Sequence, residues 1–184
     1  MNELLELLKG GDLRSDGHAD EVAEDVMQNP DLFDLLFEGL EENDDLVRGR
    51  TAHALEKVSR IYPELFNGYT NKLIEFAKND HLPFTLWHLA MLFANLDYSE
   101  SEKKIIISTL FHLLEDKSTF VKTWSISSLT ILAMENPDEK EEITSKIKLL
   151  EESKSAAVRN RVSKALNVLE KGEPLPKGWS KIEN

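Results

Sequence analysis

Apolar residues recur along this chain at helical spacing, and the spacing itself repeats every 37 positions. Val47, Phe84, Val121 and Val158 form one column, and Leu55, Leu92, Leu129 and Leu166 follow eight residues later. Eleven residues before the first column stand Leu36, Leu73, Leu110 and Ile147, and fifteen before it Leu32, Tyr69, Ile106 and Ile143. With 41% of residues apolar, all sixteen positions would be apolar by chance roughly once in a million trials, before allowance for the choice of register. The period therefore reflects a repeated structural unit.

Each unit reads as two helices. Leu32, Leu36 and Leu40 mark one face of a first helix, and Val47, Thr51, Leu55 and Val58 one face of a second. A short polar turn separates them. Three residues before the Val column come Asp44, His81, Ser118 and Ser155. The aspartate and the two serines are good N-cap residues, whose side-chain oxygens take free amides of the following helix. Pro83 falls in a first helical turn, where a missing N–H costs nothing. Asn29-Pro30, Tyr62-Pro63 and Asn136-Pro137 end the helices that precede them. No segment alternates with period two, so no sheet is predicted.

Four such hairpins cover residues 31–170. A hairpin alone cannot bury its apolar face, so the units are expected to stack into one continuous core within a single domain, 1–184. Residues 1–28 read as a degenerate fifth hairpin: a helix near Asn2 to Lys9, a loop holding Gly10, Gly11 and Gly17, and a helix near Ala19 to Gln28. Its register departs from the 37-residue offset, as expected of an end repeat with one face in water. The tail, 172–184, contains Pro174 and Pro176. Either Leu175, Trp179 and Ile182 fold it back over the last hairpin or it is disordered.

The stretches Glu42-Asn-Asp-Asp-Leu-Val-Arg48, Asp116-Lys-Ser-Thr-Phe-Val-Lys122 and Ser153-Lys-Ser-Ala-Ala-Val-Arg159 resemble the turn and second helix of HEAT repeats. That pattern places an acidic turn residue before Val and a base, then a small residue and Leu, here Ala54-Leu55, Ser128-Leu129 and Ala165-Leu166. The second repeat departs from it at Asn79, Phe84 and Thr85. The resemblance to HEAT-like, armadillo-type repeats spans about three quarters of the chain. It implies an all-α, right-handed α–α superhelix whose second helices line a concave groove. It also implies a binding scaffold rather than an enzyme.

Charge divides between the helices. The second helices carry a net +7, leaving −19 for the rest of a chain whose total is −12. Arg48, Lys122 and Arg159 also suit a structural ladder with the turn acids. Three residues after the Val column stand Arg50, Trp87, Trp124 and Arg161, a flanking position about 100° from the core face. The two tryptophans are expected to be neighbours on adjacent hairpins, framed by the arginines, with a cation–π contact between Arg50 and Trp87. They serve either as a binding platform or as wedges between repeats. In the second repeat the far side of the helix is apolar as well, at Leu86, Ala90, Phe93 and Ala94. A helix apolar all round is normally covered. A partner, a second copy of the chain or the C-terminal tail in the groove would cover Leu86 and Phe93.

Catalytic signatures are missing. The sequence has no glycine-rich phosphate loop, no G-x-S-x-G, no H-E-x-x-H and no cysteine. His18, His53, His81, His88 and His112 share no repeat column. The His-Glu pairs of iron-binding HEAT-like proteins do not occur, and Glu56 is the only carboxylate on the second helices, where HEAT-like DNA glycosylases need a catalytic acid. No cofactor or metal is expected. The longest apolar run, Leu82 to Leu96, is interrupted and shorter than the ~20 residues of a membrane span, and the opening residues carry glutamates unlike a signal peptide. The expectation is a cytoplasmic, non-enzymatic scaffold. It would hold an acidic-flanked peptide or protein segment at Arg50, Leu86, Trp87, Ala90, Phe93, Trp124 and Arg161. The alternative is a nucleic-acid-binding solenoid using the same basic and aromatic stripe, which the acidic surround would disfavour.

Overall fold

The computed structural model describes residues 3–12 and 14–179, which form helices and turns without a strand. Ten α-helices occur among the described residues: α1 (Glu3–Glu6), α2 (Ala19–Gln28), α3 (Phe33–Phe37), α4 (Asp45–Ile61), α5 (Thr70–Asn79), α6 (Pro83–Phe93), α7 (Glu100–Leu113), α8 (Thr119–Glu135), α9 (Lys140–Lys148) and α10 (Ala156–Lys171). The even-numbered helices are the second helices of successive hairpins. They lie side by side, α2 against α4, α4 against α6, α6 against α8 and α8 against α10. The odd-numbered helices form the other layer. The protein is an all-α solenoid with one apolar core running from Leu4 to Trp179.

Local signals in the sequence account for the boundaries. The Asp44 side chain accepts from the amides of Leu46 and Val47, that of Ser118 from Val121, and that of Ser155 from Val158. Ser99 and Glu102 form a reciprocal capping box on α7. Pro83 begins α6. Gly172 closes α10 in the left-handed region (φ +70°). The columns behave as the period requires: Val47, Val121, Val158, Leu55, Leu92, Leu129, Leu36, Leu73, Leu110, Ile106, Ile143 and Ile147 are fully buried. Phe84, Leu32 and Tyr69 are only half-buried.

The first helix of repeat one is broken where the sequence suggested one continuous helix. A 3-10 turn (Pro30–Leu32) leads into α3, and a second (Glu38–Glu41) follows it. Gly39 in that second turn explains the tight geometry. A Cβ there would sit 2.1 Å from Thr51 Oγ1 and 2.8 Å from Leu5 Cδ2, so the backbone lies directly on α4.

The expected exposed apolar face of α6 is absent. Leu86 is 3% exposed, and Ala90 and Phe93 have no exposure. The reason is the stacking itself. An interior second helix has a neighbour on each side as well as the odd-numbered layer, so positions flanking its core stripe are also buried. Ser128 on α8 donates its hydroxyl to the Ala90 carbonyl at 2.6 Å, which fixes Ala90 toward α8. Small residues at equivalent places on the other helices, Gly49 and Ser127, are buried in the same way. No partner or second copy of the chain is needed to cover Leu86 and Phe93.

Candidate protein-binding face

Arg50 does not belong to an open platform. It is 2% exposed, and its guanidinium is held by the loop between α1 and α2. Nη1 donates to the carbonyls of Leu8 and Gly10, both at 2.7 Å, and Nη2 to those of Asp12 (3.0 Å) and Ser15 (3.2 Å). Gly17, with φ +56°, lies so close that a Cβ would approach the guanidinium carbon to 2.7 Å. Four carbonyl dipoles thus replace the water a buried cation gives up. The expected contact with Trp87 is therefore not made.

Trp87 lies instead in an aromatic cluster at the N-terminal ends of α6 and α8. Its ring centroid is 4.4 Å from that of Phe120, 5.3 Å from Phe84 and 5.3 Å from His88. Trp124 is not among its ring neighbours. Phe120 is 58% exposed, and Trp87 and Phe84 are half-buried, so the cluster has an open surface. His88 lies beneath, stacked on His53 at 4.6 Å with 9° between the planes. His88 Nδ1 lies 2.8 Å from the Phe84 carbonyl, and the Trp87 indole N–H is directed at the imidazole, 2.6 Å from Nδ1 and 3.0 Å from Nε2. Burial, with His53 next in weight, lowers the His88 pKa to about 3, so the imidazole is neutral. His53 is also lowered by burial, opposed by Asp16 and Asp20.

Trp124 belongs to a second cluster. The Arg161 guanidinium carbon lies 4.8 Å from the Trp124 ring and 4.8 Å from the Trp179 ring, a cation between two indoles. Its Nη1 donates to Ser127 Oγ and, at 3.4 Å, to the Thr123 carbonyl. Burial lowers the Arg161 pKa. No carboxylate pairs with it among the described residues.

The C-terminal segment reaches this place by folding back. After Gly172 the Glu173 amide donates to the Asn167 carbonyl at 3.2 Å. Pro174 and Pro176 hold the chain extended. A turn from Pro176 to Trp179, closed by a 3.1 Å hydrogen bond, uses Gly178 at φ +83°, the conformation that a type II turn requires at its third residue. Trp179 is 8% exposed, whereas Glu173, Pro174 and Lys177 are exposed. Gly178 and Trp179 border a gap of about 10 Å³, room for at most one water, whose other walls are Glu56, Arg60, Met91, Asn95 and Ser127. The segment therefore lies on the second-helix face across α4, α6 and α8. Of the two readings of the tail, folding back holds through Leu175 and Trp179; Ile182, like Asn2, lies outside the described residues. Periodicity gave no sign of this seat, because the tail stands outside the repeat.

The basic side chains counted on the second helices are largely engaged within the chain. Arg48 pairs with Asp80 at 2.7 Å and with Asp45, Lys57 with Asp20 at 3.0 Å and Arg60 with Glu56 at 2.6 Å. Arg159 donates to the turn carbonyls of Ser153 and Lys154. Of the three ladder candidates Arg48 alone pairs with turn acids among the described residues, Arg159 bonding turn carbonyls instead and Lys122 forming no ion pair. Between the turn ends of successive hairpins lie two open clefts, one of about 530 Å³ over Leu40 and Phe76, the other of about 770 Å³ beside Leu86 and His112. No group of histidines and carboxylates suited to a metal ion occurs among the described residues, and no described helix is long and apolar enough to cross a membrane.

The chain matches no model of a known protein family and no curated protein sequence. Among solved structures it is similar to an engineered protein from the Northeast Structural Genomics Consortium, with a TM-score of 0.63 and 17% identity over 93% of this chain and 79% of that one. It is also similar to a designed armadillo repeat protein, with a TM-score of 0.62 and 15% identity over 92% of this chain and 82% of that one. At such identities the likeness is one of fold: this is an armadillo/HEAT-like helical repeat.

Proposed function

We propose that this helical-repeat scaffold is a non-enzymatic protein-binding module that holds a peptide or protein segment on its second-helix face. The observation that supports the reading is the aromatic cluster of Phe84, Trp87 and Phe120. Exposed aromatics on a rigid wall are the side chains that dominate binding hot spots. Here they stand at the ends of two helices fixed by a continuous core, so little ordering is needed on binding. Of the seven residues singled out in the sequence, Trp87, Trp124 and Arg161 remain in the proposed site, joined by Phe84 and Phe120. Arg50, Leu86, Ala90 and Phe93 support it from within. A nucleic-acid partner gains less support, because Arg48, Lys57 and Arg60 pair with carboxylates and Arg50 is enclosed by carbonyls.

A displayed random-peptide library panned on the full chain tests the reading. Enriched peptides should bind the wild type and lose at least tenfold in affinity on a Trp87→Ala, Phe120→Ala variant with an unchanged melting temperature. No enrichment over an unrelated helical protein, or equal affinity for the variant, rejects it.

A further inference from the structure

The seat of Trp179 is formed by Trp124 and Arg161 on two different helices, and the segment that fills it is lightly attached. Of residues 173–179 only Trp179 is buried, Leu175 and Pro176 being half-buried. Among the described residues, beyond the first backbone bond at Glu173 the segment is held by Leu175, partly buried against the core, and by the Trp179 indole on the Arg161 guanidinium. That guanidinium has rings on two sides and two neutral acceptors, Ser127 Oγ and the Thr123 carbonyl. It is a half-buried cation without a counter-ion among the described residues, and the tail residues described bring none: Glu173 is exposed and forms no ion pair with it. The seat is complementary to an aromatic ring, and its remaining electrostatic need is for a negative charge.

We propose that the Trp124–Arg161 slot is a binding site for a partner segment in which an aromatic residue is followed by carboxylates, and that Trp179 is the occupant such a segment displaces. This rests on the protein-binding reading above and names the chemistry of one partner. Displacement is feasible because, among the described residues, Trp179 is the one buried side chain of the segment and Leu175 adds only partial burial. A short tether gives it an effective concentration in the millimolar range, which a partner must exceed by adding to the same ring contact a carboxylate that none of the described residues gives Arg161. The Pro176–Trp179 turn supplies the presentation. Gly178 in the left-handed region turns the indole onto Arg161, so a partner carrying the same turn would enter in the same way.

Fluorescein-labelled, C-terminally amidated peptides test the slot by anisotropy on the full chain. One carries EPLPKGWDE, the other EPLPKGWQQ. The acidic peptide should bind Trp179→Ala at least fivefold more tightly than wild type. It should bind that variant at least fivefold more tightly than the glutamine peptide does, and lose this preference when Arg161→Gln is added. Should Trp179→Ala lose its helical circular dichroism, Gly178→Ala serves instead, because it strains the turn and leaves every slot residue in place. Equal affinity for wild type and the released variant, indifference to Arg161→Gln, or no binding at all overturns the proposal. Library peptides that need Trp87 and Phe120 but do not compete with the acidic peptide would leave the scaffold reading standing while removing this one.

Discussion

Arg50→Met is expected to detach the N-terminal loop from the solenoid. The methionine keeps most of the apolar stem and removes the guanidinium, so four hydrogen bonds of 2.7 to 3.2 Å are lost together. Hydrogen bonds to a charged group contribute about 1.5–3 kcal/mol each, which would sum to roughly 6–12 kcal/mol if they were independent. Two effects reduce that figure. The loop is exposed, so its carbonyls find water once released, and the cation no longer needs to be desolvated. A net loss of about 2–4 kcal/mol remains, or roughly 5–15 °C in melting temperature for a chain of this size. Thermal unfolding followed at 222 nm gives the shift, and amide hydrogen exchange over residues 3–18 should show protection lost there before it is lost in α6 and α8. Arg50→Lys should lose nearly as much, since one ammonium cannot span the carbonyls that a planar fork reaches. A melting temperature within 2 °C of wild type for Arg50→Met, or full rescue by lysine, would falsify the cage.

Two further outcomes follow from burial. Phe93→Ala should cost about 3–5 kcal/mol, the usual figure for truncating a buried aromatic, whereas Phe120→Ala should stay within about 0.5 kcal/mol of wild type, as for an exposed site; urea denaturation of both, with similar losses, would contradict the assignment of faces. His88 makes stability depend on pH. Its folded pKa of about 3 lies below the ordinary 6.5, so its contribution is fully present above pH 6.5 and is lost as pH falls toward 3, because the unfolded chain takes the proton first. Between pH 7 and 5 the wild type should lose about 2 kcal/mol more than His88→Phe does, at ~1.4 kcal/mol per unit; parallel curves for the two proteins would show that the imidazole is not kept neutral by the fold.

The sixteen positions of the four repeat columns, the capping residues Asp44, Ser118 and Ser155, and the helix-opening Pro83 are legible in the sequence because each acts over three or four residues, within one helix or its turn. The same local reading misjudged α3, where Gly39 lets the backbone sit against Thr51 and Leu5, residues distant in the chain. It also misjudged α6. The wheel of one helix distinguishes a core side from a far side, but on a second helix between two others the flanks of the far side face those neighbours, and Ala90 and Phe93 are buried there. Trp87 and Trp124 were expected to share a wall, yet each ring takes its neighbours from elsewhere, Phe120 for one and Arg161 for the other.

The sequence by itself determined that this protein is a stack of helix pairs, since hydrophobic period and helix caps are encoded locally and repeated four times. Only the tertiary structure decided which residues of the stack are free to meet another molecule. Arg50 is enclosed by carbonyls from 35 to 42 residues earlier, and Trp179 seats on Arg161 after the chain has turned back on itself. Accessibility is a property of what lies on top of a side chain, and at Arg50 and Arg161 what lies on top comes from segments outside the repeat, whose path is set by loop geometry and long-range packing rather than by any period.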